Sequence, residues 1–228
     1  MLKRILEPEV MDTASEAVDY NTMDHSAVNR LFVDDLLEAL AVDAEMSSGR
    51  MQVFDAGTGT ALIPLELIRR NVPVVVTASD LAKQMLLVAA ENVRVAGCEE
   101  VIRLVQTDCK QLPDDSGSYD VVMSNSIVHH IPEPGLVLAE LWRILKPGGL
   151  LFVRDLMRPA DLATLQLLVD TYAGSANSHQ QQMFRESLHA ALTVDEVREL
   201  LQDAGIPGPA VTATSDRHWT ITARKPTP

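Results

Sequence analysis

Residues 53–61 read Val-Phe-Asp-Ala-Gly-Thr-Gly-Thr-Ala: an apolar strand running into Asp55, a glycine-rich turn, and a helical pattern beginning near Ala61. Gly57 and Gly59, flanking Thr58, lack a β-carbon, so the backbone can turn sharply and approach a ligand closely. The following helix aims its unpaired N–H groups and the positive end of its dipole at the same place. Ala61 stands where a third glycine would complete the usual phosphate-binding turn, so the turn alone marks either a nucleotide-like site or an ordinary strand–helix connection.

Outward from this turn the chain repeats one rhythm. Apolar runs near 51–55, 73–79, 101–107, 119–125 and 149–155 alternate with helical patterns near 60–71, 81–97 and 134–145. Near-continuous apolar strands separated by helices predict a parallel sheet covered on both faces. Val28, Leu31, Phe32, Leu36, Leu37 and Leu40 recur at three- and four-residue steps, predicting a helix from His25 to Val42, whereas residues 1–24 show no clear periodicity. Beyond Pro159, residues 160–205 read as about three helical segments, and 209–215 and 217–224 read as a closing antiparallel hairpin around a charged turn at Ser215–Trp219.

Carboxylates punctuate the strand ends. Asp80, with Leu81 after it, ends the second strand about 20 residues beyond the glycine turn, where an acid can accept both hydroxyls of a ribose or can cap the next helix. Asp108-Cys109 ends the third strand, and Leu145-Lys146-Pro147-Gly148-Gly149 leads into the fifth. In this order and spacing, over roughly residues 50–225, the chain resembles the class I S-adenosylmethionine-dependent methyltransferases of the small-molecule type, such as the natural-product sugar O-methyltransferases and quinone-biosynthesis methyltransferases.

The resemblance implies a Rossmann-like, seven-stranded, mostly parallel sheet with helices on both faces. It implies S-adenosylmethionine as donor and S-adenosylhomocysteine as product. Carried over by position, Gly57, Thr58 and Gly59 face the methionyl end, Asp80 and Leu81 the ribose, and Asp108 the adenine amino group, with Cys109 contributing its backbone N–H. Asp55 contacts the methionyl amine or braces the loop. Asn125 and Ser126, ending the fourth strand, offer main-chain carbonyls to that amine, and Tyr20 folds over the cofactor or occupies a surface turn. A valine at Gly57 is expected to intrude on the cofactor's space.

His129 and His130 are expected on the first turn of the next helix, where neighbours point about 100° apart, so that one of them faces the cofactor. Some sugar O-methyltransferases carry a similar His-His-x-Pro stretch and pair one histidine with an acid ending the fifth strand, here Asp155. His129 with Asp155 is the expected base for an acceptor hydroxyl, with His130 lining the pocket, and the bland alternative is a structural helix start. The division expected is a lid segment and helix over 1–45, a cofactor-binding core over 46–158, a helical cap over 159–192 covering the acceptor, and a completing helix and hairpin over 193–228.

Composition sets outer bounds. The chain has 228 residues, 46% hydrophobic and 22% charged, and a formal net charge of −13, ordinary for a globular domain but opposed to a nucleic-acid or anionic-membrane surface. Cys98 and Cys109 have neither disulfide nor metal spacing, and the start has no signal-peptide core, so a cytoplasmic monomer or homodimer without a metal is expected. The Asp/Asn-Pro-Pro-Tyr motif of base and glutamine methylation is replaced by Asn125-Ser126-Ile127-Val128, which favours a small-molecule acceptor. The rival readings are a dinucleotide oxidoreductase, which leaves Asp108 and the Lys-Pro-Gly-Gly turn unexplained, a non-catalytic cofactor binder, and an enzyme using the same donor without methylating.

Overall fold

A computed structural model describes residues 2–10, 12–41 and 49–227. Seven strands form one sheet: β1 (Met51–Ala56), β2 (Val74–Asp80), β3 (Ile102–Gln106), β4 (Tyr119–Asn125), β5 (Leu145–Leu156), β6 (Val211–Ala213) and β7 (His218–Arg224), in the order β3-β2-β1-β4-β5-β7-β6. The first five are parallel, and β7 runs antiparallel between β5 and β6. The expected Rossmann-like architecture with its antiparallel closing hairpin is therefore what the chain adopts.

Side chains alternate across the pleat. Phe54, Val122, Leu151 and Val153 point into a cluster with Leu138, Leu141 and Leu201, beneath α5 (Pro134–Ile144) and α8 (Val194–Asp203). Their strand neighbours Val53, Val121, Met123, Leu150 and Phe152 point to the opposite face, beneath α2 (Ser26–Ala41), α3 (Leu62–Arg69) and α4 (Lys83–Val95). Both faces of the central strands are thus apolar, the physical reason they read as unbroken hydrophobic runs. The Lys-Pro-Gly-Gly turn opens β5: Gly148 N donates to Lys225 O (2.7 Å) and Lys225 N to Gly149 O (3.0 Å), locking β5 to the chain leaving β7.

Several boundaries differ from the sequence reading. Residues 1–24 contain a helix, α1 (Ala14–Thr22), started by a reciprocal Thr13/Glu16 capping box, and its short length hid it from a periodicity search. The expected end of α2 at Val42 and the boundary at residue 45 lie outside the described residues. Strand β5 begins at Leu145, earlier than expected, because the Tyr119–Leu145 pair precedes a register shift. The histidines occupy a separate 3-10 turn, Val128–His130, and α5 starts only at Pro134.

The stretch 159–192 forms α6 (Leu162–Ala173) and α7 (Ser178–Ala190), packed through Leu165, Leu168, Val169 and Leu188 against Leu156 at the end of β5. Its polar groups serve the hairpin itself: Gln180 completes a capping box with Asn177, Gln182 pairs with Glu186, and Arg185 donates to Gln166. Trp219 belongs to β7 and is wholly buried, and the turn consists of Ser215 to Arg217, with Ser215 and Asp216 exposed.

The Trp219 indole N–H has no hydrogen-bond partner among the described residues. Trp219→Ala is expected to cost about 3–5 kcal/mol of stability in urea unfolding. Trp219→Phe should cost less than about 1.5 kcal/mol, because losing ring area is offset by removing a buried unpaired donor. Equal losses in the two variants would contradict this account.

Candidate active site

Parallel strands bring their carboxyl ends to one edge, and a cleft of about 810 Å³ lies there. It is lined by Gly57 and Gly59 beyond β1, Asp80, Leu81 and Ala82 beyond β2, Asp108 and Cys109 beyond β3, and Asn125, Ser126 and His130 beyond β4. Tyr20, Glu9 and Val10 close it from the amino-terminal segment. A smaller recess of about 310 Å³, reached by Asp55, Thr58, Thr60 and Asn125, adjoins it.

The glycine turn is held from both sides. Thr58 N donates to Ser79 O (2.8 Å) and Gly59 N to Asp80 Oδ2 (2.8 Å), while Ser79 Oγ donates to Asp55 O (3.1 Å). Gly57 has φ +69°, and a β-carbon there would stand 2.1 Å from Ile127 Cγ2. Its bare Cα is therefore required by the protein's own packing, and a valine at this position meets Ile127 before it meets any cofactor. Gly59, at φ +55°, faces the Tyr20 ring, 3.6 Å from where a β-carbon would be.

Asp80 braces more than one element: besides Gly59 it accepts from Ala82 N at Oδ1 (2.9 Å). Helix α4 begins after Ala82 with no side-chain cap, so Asp80 makes a local turn before the helix and does not cap it. A carboxylate can accept more hydrogen bonds than these, and Asp80 lines the cleft. Asp108 accepts from Lys110 N (2.9 Å), and Lys110 pairs with Glu9, tying the amino-terminal segment across the cleft mouth. The Cys109 thiol is buried beside Ser79 Oγ (3.7 Å) and pushed up to about 11 by burial, so it stays protonated.

Asp55 is 2% exposed, and its Oδ2 has no partner among the described residues, as is also true of the Thr58 and Thr60 hydroxyls. Burial pushes the Asp55 carboxyl up to about 7, with the Thr58 side chain opposing and the Asp80 charge adding. A buried carboxylate oxygen at this recess suits a cationic or N–H-bearing ligand, with the Thr58 and Thr60 hydroxyls beside it able to donate or accept.

His129 and His130 diverge. His130 lines the cleft, while His129 is 3% exposed and points away from it, its Nδ1 2.5 Å from Asp155 Oδ1. Burial works against a proton on His129, but the Asp155 charge and hydrogen bond, with the Glu7 charge, raise its pKa above the usual value. Burial and His129 together push His130 down to about 3, so that ring is neutral. Glu7, which the sequence reading did not single out, reaches both rings, with Oε1 3.5 Å from His129 Nε2 and 3.1 Å from His130 Nδ1.

Arg4 anchors the strap that carries Glu7 by donating to the carbonyls of Ala190 (2.7 Å), His129 (3.2 Å) and Ile131 (2.9 Å). Helix α1 packs through Ala17 on Ala82 and Met85, and Asp12 accepts from Gln84 N at the start of α4. Thr13-x-x-Glu16 was the one readable signal of this arrangement, because the Arg4 and Glu7 contacts link residues more than a hundred positions apart. Among the described residues, none from 159–192 lines the cleft. The amino-terminal part of the expected cover is present there, and the α6–α7 hairpin instead backs the histidine turn.

Residues 54–153 match the family described as a methyltransferase domain. Over that stretch, less than half of its length, the chain is similar to the S-adenosylmethionine-dependent methyltransferases. It is 25% identical over 166 residues to the ubiquinone/menaquinone biosynthesis C-methyltransferase of Idiomarina loihiensis, covering 68% of this chain and 66% of that one. It is 34% identical over 123 residues to the demethylmenaquinone methyltransferase of Deinococcus radiodurans, covering 54% and 49%. The chain thus spans about half to two thirds of the length of the curated relatives it matches. Its fold is that of a SAM-dependent methyltransferase from Aquifex aeolicus, at 19% identity and a TM-score of 0.66 over 93% of this chain and 98% of that one. The cofactor of this domain family is S-adenosylmethionine, and the buried, unpartnered Asp55 Oδ2 at the recess fits its methionyl ammonium. No helix among the described residues is long and apolar enough to cross a membrane.

The Gly57 geometry yields a double-variant test. Gly57→Ala should destabilise the fold by more than the roughly 1–2 kcal/mol of left-handed strain alone, because Ile127 must move. Combining it with Ile127→Ala should recover part of the loss, a coupling of about 0.5–3 kcal/mol in denaturant melts. Additive losses would show that Ile127 is not the obstacle.

Proposed function

We propose that this chain transfers a methyl group from S-adenosylmethionine to a hydroxyl of a small-molecule acceptor. The observation that carries the proposal is the convergence, on one cleft edge and its adjoining recess, of the glycine turn, the Asp55, Asp80 and Asp108 carboxylates and the His130 imidazole. Relatives named for ubiquinone and menaquinone biosynthesis favour a phenolic or quinol-like ring as the acceptor class. The net charge of −13 supports a small acceptor over a nucleic acid.

In this reading the bound cofactor supplies an electrophilic sulfonium methyl, and the chain supplies position, water exclusion and proton management. Asp80 accepts from the ribose hydroxyls with lone pairs its N–H partners leave free, while Asp108 and the Cys109 backbone take the adenine edge. Asp55, helped by the main chain at Asn125 and Ser126, takes the methionyl ammonium. Leu81 and Tyr20 cover the nucleoside and the glycine turn. The amino-terminal segment acts as the lid, since it already supplies cleft walls that 159–192 does not.

The expected His129–Asp155 base is retained in altered form. His130 is the imidazole presented to an acceptor, and it is neutral, so it can accept a hydroxyl's hydrogen bond. His129, backed by Asp155 and bridged by Glu7, is where a positive charge is most stable, and it acts as a positioning and charge-storing residue. Once an acceptor is identified, His130→Ala should lower kcat by less than the roughly 10²–10⁴-fold of a base matched to neutral pH, because a ring lowered to about 3 is a weak base, with little change in cofactor affinity. His129→Ala and Asp155→Asn should shift the pH profile of kcat. If cofactor binds but no hydroxylated ring is methylated, a binder or a non-methylating enzyme becomes the better reading.

Asp55 sets the pH dependence of cofactor binding. Its folded pKa, about 7, lies above the ordinary 3.8, so the ligand-free fold loses stability as pH rises between those values. A bound ammonium favours the ionised carboxylate, so binding releases a proton in that window. Affinity for S-adenosylmethionine should therefore climb as pH rises toward 7 and level off above it. Calorimetry in two buffers of different ionisation heat measures the proton directly, and Asp55→Asn should flatten the profile. A flat profile in the unaltered protein would contradict the assignment.

A further inference from the structure

The three acceptor atoms around Glu7 pose a chemical problem. His129 Nδ1 lies on Asp155, so in the tautomer that donates there, Nε2 carries a lone pair. His130 Nδ1 is buried, faces the Glu7 carboxylate and has no hydrogen-bond partner among the described residues. Glu7 Oε1, 3.1 Å from it, is likewise buried and without one. His129 Nε2 stands 3.5 Å from the same oxygen. Lone pairs facing one another in a dry site repel unless a positive charge lies among them.

We propose that Glu7, His129 and His130 bind one divalent cation of the zinc, cobalt or iron(II) type. The three ligand atoms all lie within 4.8 Å of one another. With bonds of about 2.0–2.1 Å, two ligands of a tetrahedral centre stand roughly 3.3 Å apart, between the two separations seen here. Two imidazoles and one carboxylate suit a borderline metal better than magnesium or calcium, which prefer oxygen.

The supporting shell is present as well. Asp155 holds His129 through Nδ1, the carboxylate–histidine arrangement that sets tautomer and ring direction in metal sites. The Arg4 guanidinium near the two carboxylates, Glu7 and Asp155, is engaged by three carbonyls, so it does not fill the gap between Glu7 and the two rings. The adjacent histidines sit on a 3-10 turn with ring centroids 4.1 Å apart, close enough to serve one ion. Because His130 also lines the cleft, the ion would sit in its wall, and the proton-accepting role given to His130 above would belong to the metal-free chain alone.

The test reads metal directly and does not depend on turnover, so it stands or falls apart from the methyl-transfer proposal. The full chain is stripped with chelator, titrated with Co²⁺ near neutral pH, and followed by its visible ligand-field spectrum and by metal analysis after desalting. One cobalt per chain is expected, displaced stoichiometrically by Zn²⁺, with a raised Tm in either metal. Glu7→Gln and His130→Ala should each weaken binding by at least tenfold, Asp155→Asn by about 10–100-fold, and the surface control His179→Ala not at all. Circular dichroism checks that each variant is folded, and the unaltered chain decides the matter if one is not. No bound cobalt even at millimolar metal would overturn the proposal and leave a proton as the missing charge. Binding that survives both Glu7→Gln and His130→Ala would overturn it equally.

Discussion

Asp155 is the constraint on which this arrangement depends. It is wholly buried at the end of β5, and its two oxygens accept from Val128 N (2.6 Å), His129 N (3.2 Å) and Leu156 N (2.5 Å) while Oδ1 meets His129 Nδ1. Burial alone would raise its pKa, but His129 and these N–H groups hold it below the usual carboxylate value. A charge so deeply placed persists only when it is fully hydrogen-bonded, since stripping it of water costs several kcal/mol. By satisfying it, the chain joins the end of β5 to the turn after β4. That joint decides which histidine looks into the cleft.

The opposite wall is built by residues far away in sequence. The amino-terminal strap reaches the histidine turn through Arg4 and Glu7, crosses the cleft mouth through Glu9 and Lys110, and returns as α1 on the back of α4. Its hold consists of hydrogen bonds and ion pairs with a modest apolar patch at Ala17, Ala82 and Met85. Elements with few buried apolar contacts open at lower free energy than the sheet core. A wall of this kind can admit a cofactor without disturbing the strands, whereas the α6–α7 hairpin, sealed by Leu165, Leu168 and Leu188, serves as a brace.

The strand pattern was legible because a parallel sheet covered on both faces needs continuous apolar runs, and because carboxylates at strand ends are local in sequence. Gly57, Gly59, Asp80 and Asp108 could therefore be placed on one edge before any coordinates, and they line the same cleft. The reason for Gly57 was not legible, since the side chain it spares, Ile127, comes from the other side of β4. The partition of roles between His129 and His130 was not legible either. It follows from a 3-10 turn whose direction is set by Asp155 and not by the phase of the helix that follows.

By itself, then, the sequence determined the sheet and its closing hairpin through short-range periodicity, and the acidic edge through which residue types end the strands, while the cofactor came from the resemblance to a family. Only the tertiary structure decided that 159–192 contributes no residue to the cleft lining, that Asp55 Oδ2 is buried without a partner among the described residues, and that Glu7 joins the two histidines. Those outcomes depend on long-range contacts whose strength comes from burial and from the satisfaction of polar groups, and neither is defined until the chain has closed on itself.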